Sequence, residues 1–172
     1  MVSCKIFSED AHGREFFKRL VEKLKRQGVI SSNISVNVNR LPGICYTKTK
    51  RVLKAASDFD RIIILVDADN PANKNTIFQK VSKHIPQDVA NKTQVIVIDY
   101  EIEEWICQSL GINFGNQKPS EALDIWCRIT KGIKKGYKKS RIVQFVDDVA
   151  NSANTLMQIS RTFRDFINFL SK

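Results

Sequence analysis

Apolar residues along this chain recur in two alternating rhythms. Residues 2–7 (VSCKIF) read as a strand, and residues 13–26 then place Phe16, Phe17, Leu20, Val21 and Leu24 on one helical face. Gly28 supplies a helix stop. Residues 34–41 alternate Ile34, Val36 and Val38 with polar neighbours, the pattern of a strand nearer a sheet edge. After Pro42-Gly43, residues 47–57 predict a basic helix with Val52, Leu53, Ala55 and Ala56 turned inward. Residues 62–66 (IIILV) form an unbroken apolar run, as expected of a central parallel strand buried on both faces. Ile77, Val81 and Ile85 recur every four residues and predict a helix over 74–85. Residues 93–99 predict another buried strand, and Ile102, Trp105, Ile106 and Leu110 a helix after it.

This βαβαβαβα succession predicts an α/β fold, an open and mainly parallel sheet with helices on both faces. Beyond Gly111 the pattern changes to a turn-rich linker and then to helical segments at 120–131, 140–149 and 153–170. The last carries Leu156, Ile159, Phe163, Phe166, Ile167 and Leu170. The expected organisation is an α/β domain over 1–112 and a basic, mainly helical extension over 113–172 packed on it.

Composition narrows the classes. No apolar run approaches the roughly 20 residues of a membrane helix, and the N-terminus lacks a signal-peptide pattern. Cys4, Cys45, Cys107 and Cys127 form no Cys-x-x-Cys pair and are expected as buried free thiols in a reducing cytoplasm. With only His12 and His84, a histidine-rich metal site is excluded. The 28 Lys and Arg against 18 Asp and Glu give a net charge of +10, which favours polyanion partners, nucleic acid first.

Against that basic background the acids are unevenly placed. Eight of the 18 follow three strands: Glu9 and Asp10, then Asp67 and Asp69, then Asp99, Glu101, Glu103 and Glu104. In open α/β sheets, ligands bind beyond the carboxyl ends of the strands. Residues i and i+2 of an extended segment point the same way, so Asp67 and Asp69 are expected to project together. At about 6–7 Å and an effective dielectric near 20, such a pair costs roughly 2.5 kcal/mol. A hard cation, a shared proton or a nearby Lys or Arg would relieve it, and an all-oxygen set favours Mg2+ or Mn2+. Local roles compete with this: Asp69 or Asn70 as a turn cap before Pro71, Asp10 as a helix cap, and Glu101, Glu103 and Glu104 as first-turn acids facing the helix dipole.

A glutamate after the first strand with Asp-x-Asp after a buried third strand resembles the TOPRIM fold. IFSEDAHGREFFKRL, IILVDAD and YEIEEWICQSLG resemble, within it, the OLD-nuclease and RloB-like proteins over roughly residues 3–112. The resemblance implies Glu9 as the catalytic acid/base, Asp67 and Asp69 as holders of Mg2+ or Mn2+, and Glu15, Glu101 and Glu103 as second-site ligands; Glu9 is expected to join Asp67 and Asp69 on the cation, with Asp10 a further candidate ligand. The family's Glu-Gly is here Glu9-Asp10, so Asp10 adds a charge where the family has glycine.

Basic residues gather in two places. Residues 128–141 carry Arg128, Lys131, Lys134, Lys135, Lys138, Lys139 and Arg141 without an acid, interleaved with Gly132, Gly136 and Tyr137. Lys48, Lys50, Arg51 and Lys54 form a second basic face. Both are expected to hold phosphate backbone. The expected function is Mg2+- or Mn2+-dependent phosphoryl transfer on nucleic acid, most simply by a nuclease in a defence or repair setting, alone, as a homodimer or with a partner protein. The alternatives are a catalytically inactive binding module of the same fold and, below it, a receiver-like signalling domain.

Overall fold

The computed structural model describes residues 1–43 and 46–172, so the expectation for the Cys45 thiol lies outside the described residues. Four strands, β1 (Val2–Ser8), β2 (Ile34–Arg40), β3 (Arg61–Asp67) and β4 (Thr93–Ile98), form one sheet in the order β2-β1-β3-β4, with every neighbouring pair parallel. The α/β expectation therefore holds. All four carboxyl ends share one edge, because each crossover returns the chain to the opposite edge through a helix.

β3 is central because its residues are apolar on both faces. Ile62, Ile64 and Val66 pack under α2 (Tyr46–Lys54), α3 (Lys74–Ser82) and the short α4 (Gln87–Ala90). Ile63 and Leu65 pack on the other side, under α1 (Gly13–Arg26), α5 (Glu103–Leu110) and the C-terminal helices. β2, at an edge, exposes Ser35, Asn37 and Asn39 and buries Ile34 and Val38, as its alternation requires. α1 buries Phe16, Phe17, Leu20, Val21 and Leu24 and ends where Gly28 takes φ 71°, a left-handed position that suits glycine.

The C-terminal segment comprises α6 (Pro119–Thr130), a 3-10 stretch (Lys139–Phe145), α7 (Val146–Asn151), α8 (Ala153–Ile159) and α9 (Arg161–Ser171). Its apolar residues join the core of the sheet domain: Phe163 and Phe166 pack on Trp105 and Phe17, and all four are fully buried. Each such side chain contributes about 1.5–3 kcal/mol by burial. Arg61, at the start of β3, donates to the carbonyl oxygens of Leu170 (2.6 Å) and Phe169 (3.3 Å) and so caps α9.

Two helical expectations change. The pattern over 140–149 resolves into the 3-10 stretch followed by α7. The single helix expected over 153–170 is broken at Ser160, which is extended (φ −108°, ψ 110°) and whose hydroxyl accepts from the Phe163 amide at 3.3 Å. An N-cap serine competes with helix continuation at that point. The break turns Ile159 outward, where it is 56% exposed instead of joining the inward stripe.

Candidate functional site at the carboxyl edge of the sheet

Backbone pairing continues one residue past β1, where the Glu9 amide donates to the Leu65 carbonyl at 3.1 Å. A Cβ at Gly13 would stand 2.3 Å from Ser8 Oγ, so glycine lets α1 begin directly against the end of β1. Asp10 lies in the tight turn between them, with its Oδ1 accepting from the His12 amide at 2.7 Å. At the end of β3, the Asp67 amide donates to Glu9 Oε2 at 3.3 Å. The turn after β1 and the end of β3 thus bring three carboxylates together.

A fourth, Glu103, enters from the first turn of α5 and is completely buried. Tyr137 donates its hydroxyl to Glu103 Oε1 at 2.7 Å. In the middle stands the Lys139 ammonium, 2.8 Å from Asp10 Oδ2, 3.7 Å from Glu103 Oε2 and 3.9 Å from Asp67 Oδ2. Asp10 Oδ2 and Glu103 Oε2 are buried, and the Lys139 ammonium is the cation that faces both.

The electrostatics follow from burial. Desolvation pushes the Asp67 carboxyl well above its ordinary value; Lys139 opposes the rise, while Glu103, Glu9 and Asp10 add to it. Burial also raises Glu103, against Lys139 and the Tyr137 hydroxyl. For Lys139, burial pulls downward, but Glu103, Asp10 and Asp67 outweigh it and hold the ammonium charged. Clustered perturbed groups in a cleft are a physical signature of a functional site.

Lys139 and Tyr137 are delivered by a latch that no local sequence pattern announces. Asp124 on α6 accepts from the Tyr137 amide at 2.7 Å and from Arg128 Nε at 2.9 Å. A Cβ at Gly136 would lie 1.9 Å from Asp124 Oδ1, and Gly136 has φ 60°. Glycine is required there on both counts. A cleft of about 530 Å3 opens beside Glu103 and Lys139, walled by Gln117, Glu121, Ile125 and Tyr137.

Several sequence expectations are not met by this geometry. Asp67 and Asp69 do not project together: β3 stops at Asp67, Asp69 turns left-handed at φ 59°, and its carboxylate pairs with Lys118 at 3.1 Å. The cap before Pro71 is Asn70, which accepts from the Ala72 amide at 2.9 Å. Glu101 is buried but accepts from the Ser120 amide at 2.7 Å, so it caps the first turn of α6. Glu15 is exposed on α1 and pairs with Arg19 at 2.7 Å, outside the cluster.

The basic residues also divide. Lys131, Lys134, Lys135 and Lys138 are exposed around the loop that leads to Lys139, and Arg141 is half-buried in the 3-10 stretch. Lys48, Lys50 and Arg51 lie on α2, in the opposite helical layer from that loop. Lys50 and Lys54 line a separate cleft of about 300 Å3 with Lys83.

Among the described residues, no three His, Cys, Asp or Glu side chains form a ready ligand set for a metal ion. The oxygens of Asp10, Asp67 and Glu103 nonetheless converge on one cation, the ammonium of Lys139. Their hard, anionic donor chemistry fits a divalent cation in competition with that lysine. No family model, curated protein or solved structure matches the chain. Among the described residues, no helix is long and apolar enough to cross a membrane.

Proposed function

We propose that the carboxyl edge of the sheet is the active centre of a divalent-cation-dependent phosphodiesterase acting on nucleic acid, most simply a nuclease. The supporting observation is the convergence of Asp10, Asp67 and Glu103, from three different elements, within 4 Å of the Lys139 ammonium. Asp10, Asp67 and Glu103 are the residues to hold Mg2+ or Mn2+, which would supply charge neutralisation and an acidified water. Glu9, which accepts from the Asp67 amide, would be the base for the attacking water. Lys139 gives its charge to a non-bridging phosphate oxygen, and Tyr137 fixes the orientation of Glu103. The exposed lysines at 131–138 hold neighbouring phosphates.

The test is cleavage of end-labelled single- and double-stranded DNA and RNA with Mg2+, Mn2+ or EDTA, alongside Mn2+ binding by calorimetry. Wild type should cleave at least one substrate only with the cation. Asp67→Asn and Glu103→Gln should lower the rate at least 100-fold and weaken Mn2+ binding. Absence of cleavage across the panel, or undiminished cleavage in Asp67→Asn, refutes the proposal.

One observation favours a second reading, a binding module without chemistry: Lys139 already pairs with all three carboxylates. Nucleic-acid affinity indifferent to EDTA and to Asp67→Asn, with no cleavage, would identify it. A receiver-like domain gains less support, since the described sheet has four strands and Lys139 comes from a helical extension.

A further inference from the structure

α1 carries a second feature that the acidic centre does not use. Its inner face is apolar, while its outer face bears Arg14, Lys18, Arg19, Lys23, Lys25 and Arg26. The 3-10 stretch that begins at Lys139 runs beside this helix, and α7 continues the wall. Between them lies a groove of about 380 Å3, with Lys18, Arg19, Lys23 and Arg26 on one side and Val143, Gln144 and Asp147 on the other.

The charges in this groove are unevenly matched. Its two acids are already engaged, Asp147 with Lys23 at 2.9 Å and Glu22 with Lys25 at 3.0 Å. Arg19 is paired with Glu15 on the exposed surface. Among the described residues, Lys18 and Arg26 have no ion-pair partner. Surface pairs of this kind are weak, so their cations exchange readily for a phosphate. Lys18 and Arg26 are eight residues apart on one helix, about 12 Å along its axis. That span suits several successive phosphates of one strand.

We infer that the α1 groove is a docking track for a nucleic-acid backbone, leading along the 3-10 stretch to Lys139. The inference rests on the nucleic-acid part of the proposal above and adds the surface that would hold the polymer. Concavity and composition favour a strand over an anionic membrane. The exposed large hydrophobic residues, Met1, Phe78, Ile125, Ile129 and Ile159, are not among those lining the groove. The lining contains no aromatic ring, so binding there is by backbone charge and not by base stacking.

The experiment is fluorescence anisotropy with labelled 20-nucleotide DNA and RNA, single- and double-stranded, in EDTA at several salt concentrations. The Lys18→Glu/Arg26→Glu variant is compared with Lys80→Glu/Lys172→Glu, which makes the same charge change on exposed residues outside both basic clefts. The α1 variant should bind at least tenfold more weakly, with a salt slope shallower by about 1.4–1.8, equivalent to two lost phosphate contacts. The control should stay within threefold of wild type. Equal losses in both variants, no loss in the α1 variant, or binding of wild type to anionic phosphatidylglycerol vesicles but to no oligonucleotide overturns the inference. If binding runs through the groove but nothing is cleaved with Mg2+ or Mn2+, the track stands and the nuclease proposal falls. If wild type cleaves and the α1 variant binds and cleaves equally well, the reverse holds.

Discussion

Glu104 sits one residue beyond Glu103, buried with 6% of its surface exposed, and its environment sets a pH dependence that can be measured without knowing any substrate. Burial, and after it the Asp99 carboxylate, raises its carboxyl from the ordinary 4.5 to about 7; the Tyr100 amide, Lys74 and Gln108 only partly oppose this. The unfolded chain therefore releases this proton near pH 4.5, whereas the folded protein keeps it until about pH 7. The stabilisation is complete below the lower value and is lost as pH rises through the upper one. At about 1.4 kcal/mol for each tenfold change in proton affinity, the loss is about 3 kcal/mol. The neutral form also suits its neighbour: Gln108 Oε1 is buried without a hydrogen-bond partner, and with that amide turned about, a protonated Glu104 can donate to it. Glu104→Gln keeps the shape and the donor but never ionises. In urea or thermal unfolding from pH 4.5 to 8.5, the variant should gain about 3 kcal/mol on wild type, or about 6–12 °C for a chain of this size. Taking the difference cancels other titrating groups such as Asp67 and Glu103. A gap that stays constant across that range refutes the assignment.

Other outcomes follow from named contacts. Gly136→Ala places a methyl against Asp124 in a left-handed position; a loss of about 1–3 kcal/mol is expected in urea unfolding. Tyr137→Phe removes the hydroxyl that holds Glu103 and should cost about 0.5–1.5 kcal/mol, read by the same unfolding assay. Phe166→Ala should cost about 3–5 kcal/mol. Because this residue joins the C-terminal helices to Trp105 and Phe17, tryptophan fluorescence and far-UV circular dichroism should still give one shared transition; two separate transitions would show that residues 113–172 unfold alone.

Much of the fold was legible because its signals are local. The apolar run of β3 can only be buried on both faces, and the four-residue spacing of α1 selects one helical side. Glu9, Asp10, Asp67 and Glu103 were visible as acids after strands, and Lys139 as part of an acid-free basic segment. Their meeting was not visible, because it depends on Asp124 gripping the backbone at Tyr137, a contact across 13 residues with no periodicity. Asp69 was misplaced because an i, i+2 rule assumes that the strand continues, and here the backbone reverses one residue after Ala68. The α1 groove was missed because its cations are spread along an amphipathic helix and become a groove only when the 3-10 stretch lies beside them. Ser160 ended a helix whose apolar spacing alone would have carried it through.

The clasp between Arg61 and the last carbonyls of α9 has a bearing on how the protein is made. Ile63 and Leu65 of β3 belong to the core that Phe163 and Phe166 complete. During synthesis, α1 and α5 can already lie on this side of the sheet, but the share of it that Phe163 and Phe166 cover stays open until α9 has emerged. Completion of that side is therefore a late event, and a fragment stalled after α6 leaves Trp105 and Phe17 partly uncovered for chaperones and proteases to recognise.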